Sequence, residues 1–257
     1  MLKASLIKAI KFLIRPSYYW YKRVELRVHN IIYQSKIEDA KQIPIIINNR
    51  NRLSTLKSLV DALVERGYQN IHILDNDSTY PPLLDYYKTL PFQVHYLVRN
   101  VGYMALWKTP IHKQFIKDFY VYTDSDVVPI ESCPDDFMEV FRKLLQQYTD
   151  VQKVGFSLKI DDLPDAYANK QQVIEWEKKY FEKKMDDYCY EAPIDTTFAL
   201  YRPGAKGKAS LLRMLRTAYP YEARHLPWYV DSNHLSEEEK YYINHVNTST
   251  HWTQKPV

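Results

Sequence analysis

The sequence predicts an α/β protein: a mostly parallel sheet flanked by helices, preceded by a basic amphipathic helix. Three observations carry this. Short apolar runs alternate with helical-period segments through the middle of the chain. Each run ends in a cluster of polar residues. A lysine-rich segment with apolar residues at 3–4 spacing opens the chain.

The opening segment comes first. Residues 1–40 hold eight basic and three acidic residues, against 27 and 28 in the other 217. All of the net charge of +4 therefore sits there. Leu2, Leu6, Ile7, Ile10, Leu13 and Ile14 recur at helical spacing, Pro16 is expected to interrupt, and Tyr18 to Tyr21 follow with Trp20 among them. Cations around an apolar stripe with terminal aromatics describe a helix lying on an anionic membrane surface. A basic helix packed on the main domain or on a partner gives the same pattern. No uncharged apolar run is long enough to span a bilayer. Lysines interrupt any signal-like core, so a secretory signal is not predicted. Two cysteines, Cys133 and Cys189, give neither zinc spacing nor a disulfide framework, which predicts a reducing compartment. The expected location is cytoplasmic, peripheral on the inner face of the cell membrane.

The run Ile43 to Ile47 reads as a strand buried on both faces. Leu53, Leu56, Leu59, Val60, Leu63 and Val64 then predict a helix closed by Gly67. Ile71 to Leu74 is a second strand, and the Pro81-Pro82 pair starts a short helix. Val94 to Val98 is a third strand. Helical sequence over 103–117, broken near Pro110, leads to a fourth strand at Phe119 to Tyr122. Repeated β-α-β units imply a parallel sheet, and such sheets bind ligands beyond the carboxyl ends of their strands. Here those ends carry Asn48–Arg52, Asp75–Ser78, Arg99–Gly102 and Asp124–Asp126.

Composition excludes several classes. A charge of +4 on 257 residues does not suggest a nucleic-acid-coating protein, so no nucleic-acid partner is expected. Five glycines form neither a dinucleotide fingerprint nor a P-loop. Asp124 and Asp126, separated by one residue just past a buried strand, can both face one cation. A hard divalent ion, Mn2+ or Mg2+, accepts one or two carboxylates and keeps its other positions for water and phosphate oxygens.

These segments together resemble GT-A type glycosyltransferases of the family-2-like group. The resemblance runs through Ile43–Arg52 with Leu53 and Leu56-Lys57, Ile73–Ser78, Arg99–Gly102 with Ala105, and Tyr122–Asp126. It covers about residues 43–130, roughly a third of the chain. It implies a nucleotide-sugar donor, UDP-linked, and transfer to a hydroxyl of a glycan or glycolipid acceptor such as a surface-polysaccharide precursor. It implies that Asp75 accepts from the base, that Asn49, Arg50 and Asn100 line the nucleoside pocket, that Asp124 lies by the ribose and metal, and that Asp126 ligates the metal. Asn48-Asn49-Arg50 departs from the Pro-x-aromatic step of that group. On this reading, residues 41–130 form the donor half and 131–257 the acceptor and catalytic half of one domain.

The second half predicts a helix over 134–148, a strand at Val154 to Leu158, a helix over 170–184 and a strand ending near Arg202. An acceptor hydroxyl is a poor nucleophile until a carboxylate takes its proton. Asp195 is the first candidate for that inverting base and Glu191 the second; each also reads as a strand-end carboxylate in a cap or ion pair. His225 resembles the late histidine that serves several GT-A enzymes as a third metal ligand, with His234 the competitor. Trp228 and Tyr229 could stack on a sugar or simply pack. Lys206, Lys208, Arg213 and Arg216 could attract an anionic acceptor or phosphates but read first as a solvated basic helix face, and Ser236 to Glu239 read as a capping box. His245 and His251 have no motif context.

Two other readings fit parts of the sequence. Phe119 to Val128 also resembles the nucleophile segment of haloacid-dehalogenase-type phosphohydrolases. That reading makes Asp124 the nucleophile and Asp161-Asp162 the later acidic pair. A non-catalytic sugar-nucleotide-binding domain would keep Asp75 and Asn100 and need no base.

Overall fold

A computed structural model describes residues 2–32, 34–207 and 212–246, with side chains from residue 17 onward. The side chains of the N-terminal stripe through Ile14, and residues Lys208 and His251, lie outside the described residues.

Helix α1 (Leu2–Ile32) runs through position 16 without the expected interruption. A proline removes one backbone donor from a helix, and the turns on either side keep theirs. The predicted alternation follows, as β1 (Ile45–Asn49), α2 (Ser54–Glu65), β2 (Ile71–Asp75), α3 (Pro81–Tyr87) and β3 (Gln93–Tyr96). Two short helices, α4 (Ala105–Lys108) and α5 (His112–Phe115), flank Pro110 and lead to β4 (Tyr120–Asp124). Gly67 ends α2 in the left-handed region at φ 81°, where only glycine is unstrained, and its amide bonds Val64 O at 2.9 Å.

The second half adds β5 (Val127–Pro129), α6 (Phe137–Gln147), β6 (Val151–Leu158), α7 (Lys170–Glu177), β7 (Cys189–Glu191), β8 (Ala199–Tyr201), β9 (Arg213–His225) and α8 (Glu237–His245). The strands form one sheet in the order β3-β2-β1-β4-β8-β6-β9-β5, with β7 also on β9. β3, β2, β1 and β4 are parallel, and β8 enters antiparallel between β4 and β6. This is the mostly parallel, helix-flanked α/β architecture the sequence predicts.

Alternation along the strands sorts the core into two layers. Ile45, Ile47, Ile73 and Val121 face α2 and α6 residues such as Leu59 and Phe141. Ile46, Leu74, Tyr120 and Tyr122 face Ala105, Leu106 and Phe115. Sheet closure between β6 and β8 depends on Gly155, since a Cβ there would stand 2.3 Å from Phe198 O. One long strand departs from expectation. Arg213 and Arg216 lie on β9 and not on a solvated helix. Arg216 is buried against Glu177 Oε2 at 2.6 Å, and Arg213 meets Asp150 and Glu191.

β2 lies on one side of β1 and β4 on the other, so the order of strands reverses between β1 and β4. A crevice opens at such a switch, beyond the carboxyl ends. The register places Asn49 beside Asp75 and Asn48 beside Asp124 at that edge.

Candidate active site

Asp124 ends β4 and is fixed from both flanks. Asn48 Nδ2 donates to its Oδ1 at 3.2 Å, and the Thr196 hydroxyl donates to its Oδ2. Its backbone amide bonds Thr196 O at 3.0 Å. Burial and the neighbouring Asp126 carboxylate push its pKa well above the ordinary carboxylate range, and Asp195 adds to the effect. Two close carboxylates without a counter-charge repel, and a cation between them relieves this.

Asp126 follows at the turn into β5. Its backbone oxygen accepts from Leu226 N at 2.8 Å, which pins the turn to the end of β9. Its Oδ1 is buried with no hydrogen-bond partner. His225 Nε2 lies 3.6 Å from that oxygen, and His225 Nδ1 is also buried without a partner. Burial lowers the His225 pKa, so the ring is a neutral imidazole with a lone pair to offer. Trp228 is buried and packs edge-on against this ring at 4.7 Å between centroids, so it lines the core and not a sugar face. Orphaned buried polar atoms are uncommon and call for a water, an ion or a ligand.

Asp124, Asp126 and His225 do not close into a three-ligand cage. Among the described residues no group of three or more His, Cys, Asp or Glu side chains is arranged to hold a metal. The physical reason is visible: Asp124 is turned to Asn48 and Thr196, while His225 stands between Asp126 and Trp228. The pair of carboxylates, one with an orphaned buried oxygen, nevertheless suits a hard divalent cation that draws its other ligands from phosphate and water. His234 lies elsewhere, exposed in a turn with Asp231 at 2.8 Å.

The other predicted residues divide by role. Asp75 is buried at the end of β2, where Tyr87 OH donates to Oδ1 at 2.9 Å and Ser78 N to Oδ2 at 3.2 Å. Asn49 is buried beneath it: its Nδ2 donates to Tyr87 OH at 2.9 Å, and its Oδ1 accepts from Ser125 at 2.6 Å. Asn49 thus ties the end of β2 to the Asp124–Asp126 turn. Arg50 Nη1 donates to His245 O at 2.7 Å, at the end of α8. Asn100 accepts from Gly102 N at 2.8 Å and shapes its own loop. Asp195 is exposed, near enough to Asp124 to raise its pKa, and its backbone oxygen accepts from Lys153 Nζ at 2.8 Å. Glu191 sits on β7 between Arg213, at 2.7 Å, and Lys183, at 3.0 Å. Asp161 pairs with Lys159, and Asp162 with Arg224 and Tyr229.

Sequence reading missed the residues that frame the site. Arg52 is buried, paired with Glu239 and stacked 3.6 Å from the Tyr242 ring centroid. Asp124 and Asp126 both act electrostatically on Tyr242, which places α8 beside the crevice. Lys153 is buried on β6 between Asp195 O and Tyr201 OH, at 2.8 and 2.9 Å, and burial lowers its pKa to about 7. Lys153 precedes the predicted strand at Val154 to Leu158, so the sequence held no signal for it.

No protein-family model matches the chain, and no curated protein matches it. Among solved structures it is similar to TarS 1-349 from S. aureus, at 14% identity and a TM-score of 0.40. It is also similar to glucosyl-3-phosphoglycerate synthase from Mycobacterium tuberculosis in complex with Mn2+ and uridine-diphosphate-glucose, at 14% identity and a TM-score of 0.39. The alignments cover 63% and 70% of this chain, but 47% and 60% of the two structures. Fold does not carry function.

Proposed function

We propose that the chain is a metal-dependent glycosyltransferase. It moves a sugar from a UDP-linked donor to a hydroxyl of a glycolipid or surface-polysaccharide precursor. The observation that carries this reading is the Asp124–Asp126 pair at the strand-order switch, with a buried, unpartnered Asp126 oxygen.

A divalent cation, Mn2+ or Mg2+, held by Asp124 and Asp126 with His225 beside the second, would neutralise the leaving diphosphate. Asn48 and Thr196 orient Asp124, and the His225 ring backs Asp126. Asp75, held by Tyr87 and Ser78, keeps lone pairs for the imide N–H of uracil. Asn49 holds the Asp124–Asp126 turn, Arg50 anchors α8, and Asn100 sets the loop beside the nucleoside. Asp195 takes the proton of the acceptor hydroxyl as the glycosidic bond forms. Glu191 is neutralised by Arg213 and Lys183, which favours Asp195 as the base of an inverting transfer.

Titration calorimetry of the full chain with UDP-sugars, with and without Mn2+, tests the reading. Metal-linked donor binding is expected, and Asp126→Ala should abolish it. Asp195→Ala should keep donor binding and lower transfer by about a hundredfold or more. Release of phosphate from a generic phosphomonoester would favour the phosphohydrolase reading. Donor binding without any turnover would leave a non-catalytic domain.

A further inference from the structure

The inner side of α1 is already occupied by the domain. Leu26 is buried there, and Asn30 Nδ2 donates to Thr149 O at 3.2 Å, just past α6. The outer side is apolar although nothing in the fold requires it. At about 100° per residue Trp20, Tyr21, Val28, Ile31 and Ile32 fall together on the side away from Leu26. All five are exposed, Trp20 by 69% and Ile31 by 72%. Five large apolar side chains turned to solvent on one helix face form a patch that a soluble surface rarely keeps without a partner.

The charges beside the patch choose the partner. Arg23 and Arg27 are exposed and border it on one side. Glu25, the one acidic residue of positions 17–32, is paired with Lys22. In the sequence, Leu2, Leu6, Ile10 and Leu13 keep the register of the same stripe, and Lys8, Lys11 and Arg15 keep the register of the opposite side. A helix of 31 residues is about 46 Å long. Among the described residues no helix is long and apolar enough to cross a membrane. An apolar face with Trp and Tyr, bordered by arginines and too charged to insert across, fits the headgroup level of an anionic bilayer.

We infer that the outward face of α1 between Tyr18 and Ile32 docks the protein on an anionic lipid surface, with Trp20, Ile31 and Ile32 entering the interface and Arg23 and Arg27 on the headgroups. The inference goes beyond the proposed chemistry, and adds to it by bringing the crevice to acceptors carried on lipid.

Flotation of the full chain with vesicles tests it, using phosphatidylcholine alone and with about one-third phosphatidylglycerol. Binding is expected to the anionic vesicles only and to weaken with salt. Each surface cation is worth about a fivefold change in partitioning, so Arg23→Glu/Arg27→Glu should reduce binding more than about tenfold. Ile31→Asp should do the same without touching the crevice. Both variants should keep Mn2+-linked donor affinity, so a failure here is separable from a failure of the proposed chemistry. Two results would overturn the inference: no flotation with anionic vesicles, or a wild-type dimer in light scattering that Ile31→Asp converts to monomer while vesicle binding stays absent. The second would make this face a contact between copies.

Discussion

Thr196 shows how much of the site depends on residues with no motif of their own. Its hydroxyl donates to Asp124 while its carbonyl accepts the Asp124 amide, so one residue fixes both the carboxylate and the strand end that bears it. Groups that orient a ligand in this way typically change metal affinity 10- to 100-fold when removed. If Asp124 holds the cation as proposed, Thr196→Val should weaken Mn2+ binding by about tenfold with little loss of stability, as read by calorimetry alongside a thermal melt. An unchanged affinity would mean that Asn48 alone sets the Asp124 geometry. Asp124 and Asp126 were legible in the sequence because two carboxylates just past an apolar run are a local pattern. Thr196, Lys153 and Tyr242 were not, because their partners lie 42 or more residues away and only the folded sheet brings them together. Asn49 illustrates the converse: its position was legible, yet its side chain is taken up by Tyr87 and Ser125.

At the scale of elements, the strands β1, β2 and β4 could be read directly. Strands buried on both faces appear as continuous apolar runs. β9 could not, since Arg213, Arg216 and Pro220 break its pattern and its charges are matched by Glu177, Glu191 and Asp150 from other elements. α8 was legible as a capped helix, and Ser236 does accept from Glu239 N at 3.1 Å. Its docking was not. Glu238 reaches across to accept from Leu53 N and Ser54 N at 2.8 and 3.1 Å, capping α2, while the Glu239 carboxylate pairs with Arg52. Both members of that pair are buried. Removing one partner of a buried pair leaves an uncompensated charge and costs about 3–5 kcal/mol, whereas replacing both by apolar residues is often neutral. Glu239→Ala should thus lower urea stability by several kcal/mol, and Arg52→Met/Glu239→Leu should recover most of it. If the double variant is no better than the single one, the loss comes from packing under Tyr242 and not from the stranded guanidinium.

Over the whole molecule, half-buried His72 and buried Lys153 contribute to how stability varies with pH in windows that do not overlap, beside Asp124, whose raised pKa acts with the opposite sign below pH 7. His72 on β2 and His95 on β3 meet at 3.3 Å between ring nitrogens and pack on Phe115. Burial, with His95 second, lowers the His72 pKa from 6.5 to about 4. Between these values the unfolded chain takes up a proton that the folded chain refuses, so stability falls as pH drops, by about 2–3 kcal/mol. Lys153, lowered by burial from 10.5 to about 7, acts with the same sign in a higher window. From pH 7 upward the unfolded chain holds the extra proton, and stability rises with pH. Urea midpoints should therefore climb as pH rises from about 7 to 9, while below pH 7 the His72 rise is opposed by Asp124, so the His72 share is read as the difference between wild type and His72→Phe. Relative to wild type, His72→Phe should gain stability as pH drops from about 6.5 to about 4.5 and leave the rise above pH 7 unchanged. Lys153→Met should flatten the rise above pH 7 and raise stability at neutral pH, where the native lysine pays for its burial. A Lys153→Met protein that keeps the alkaline rise would show that this amine stays charged inside the sheet, held by the Asp195 carbonyl and the Tyr201 hydroxyl.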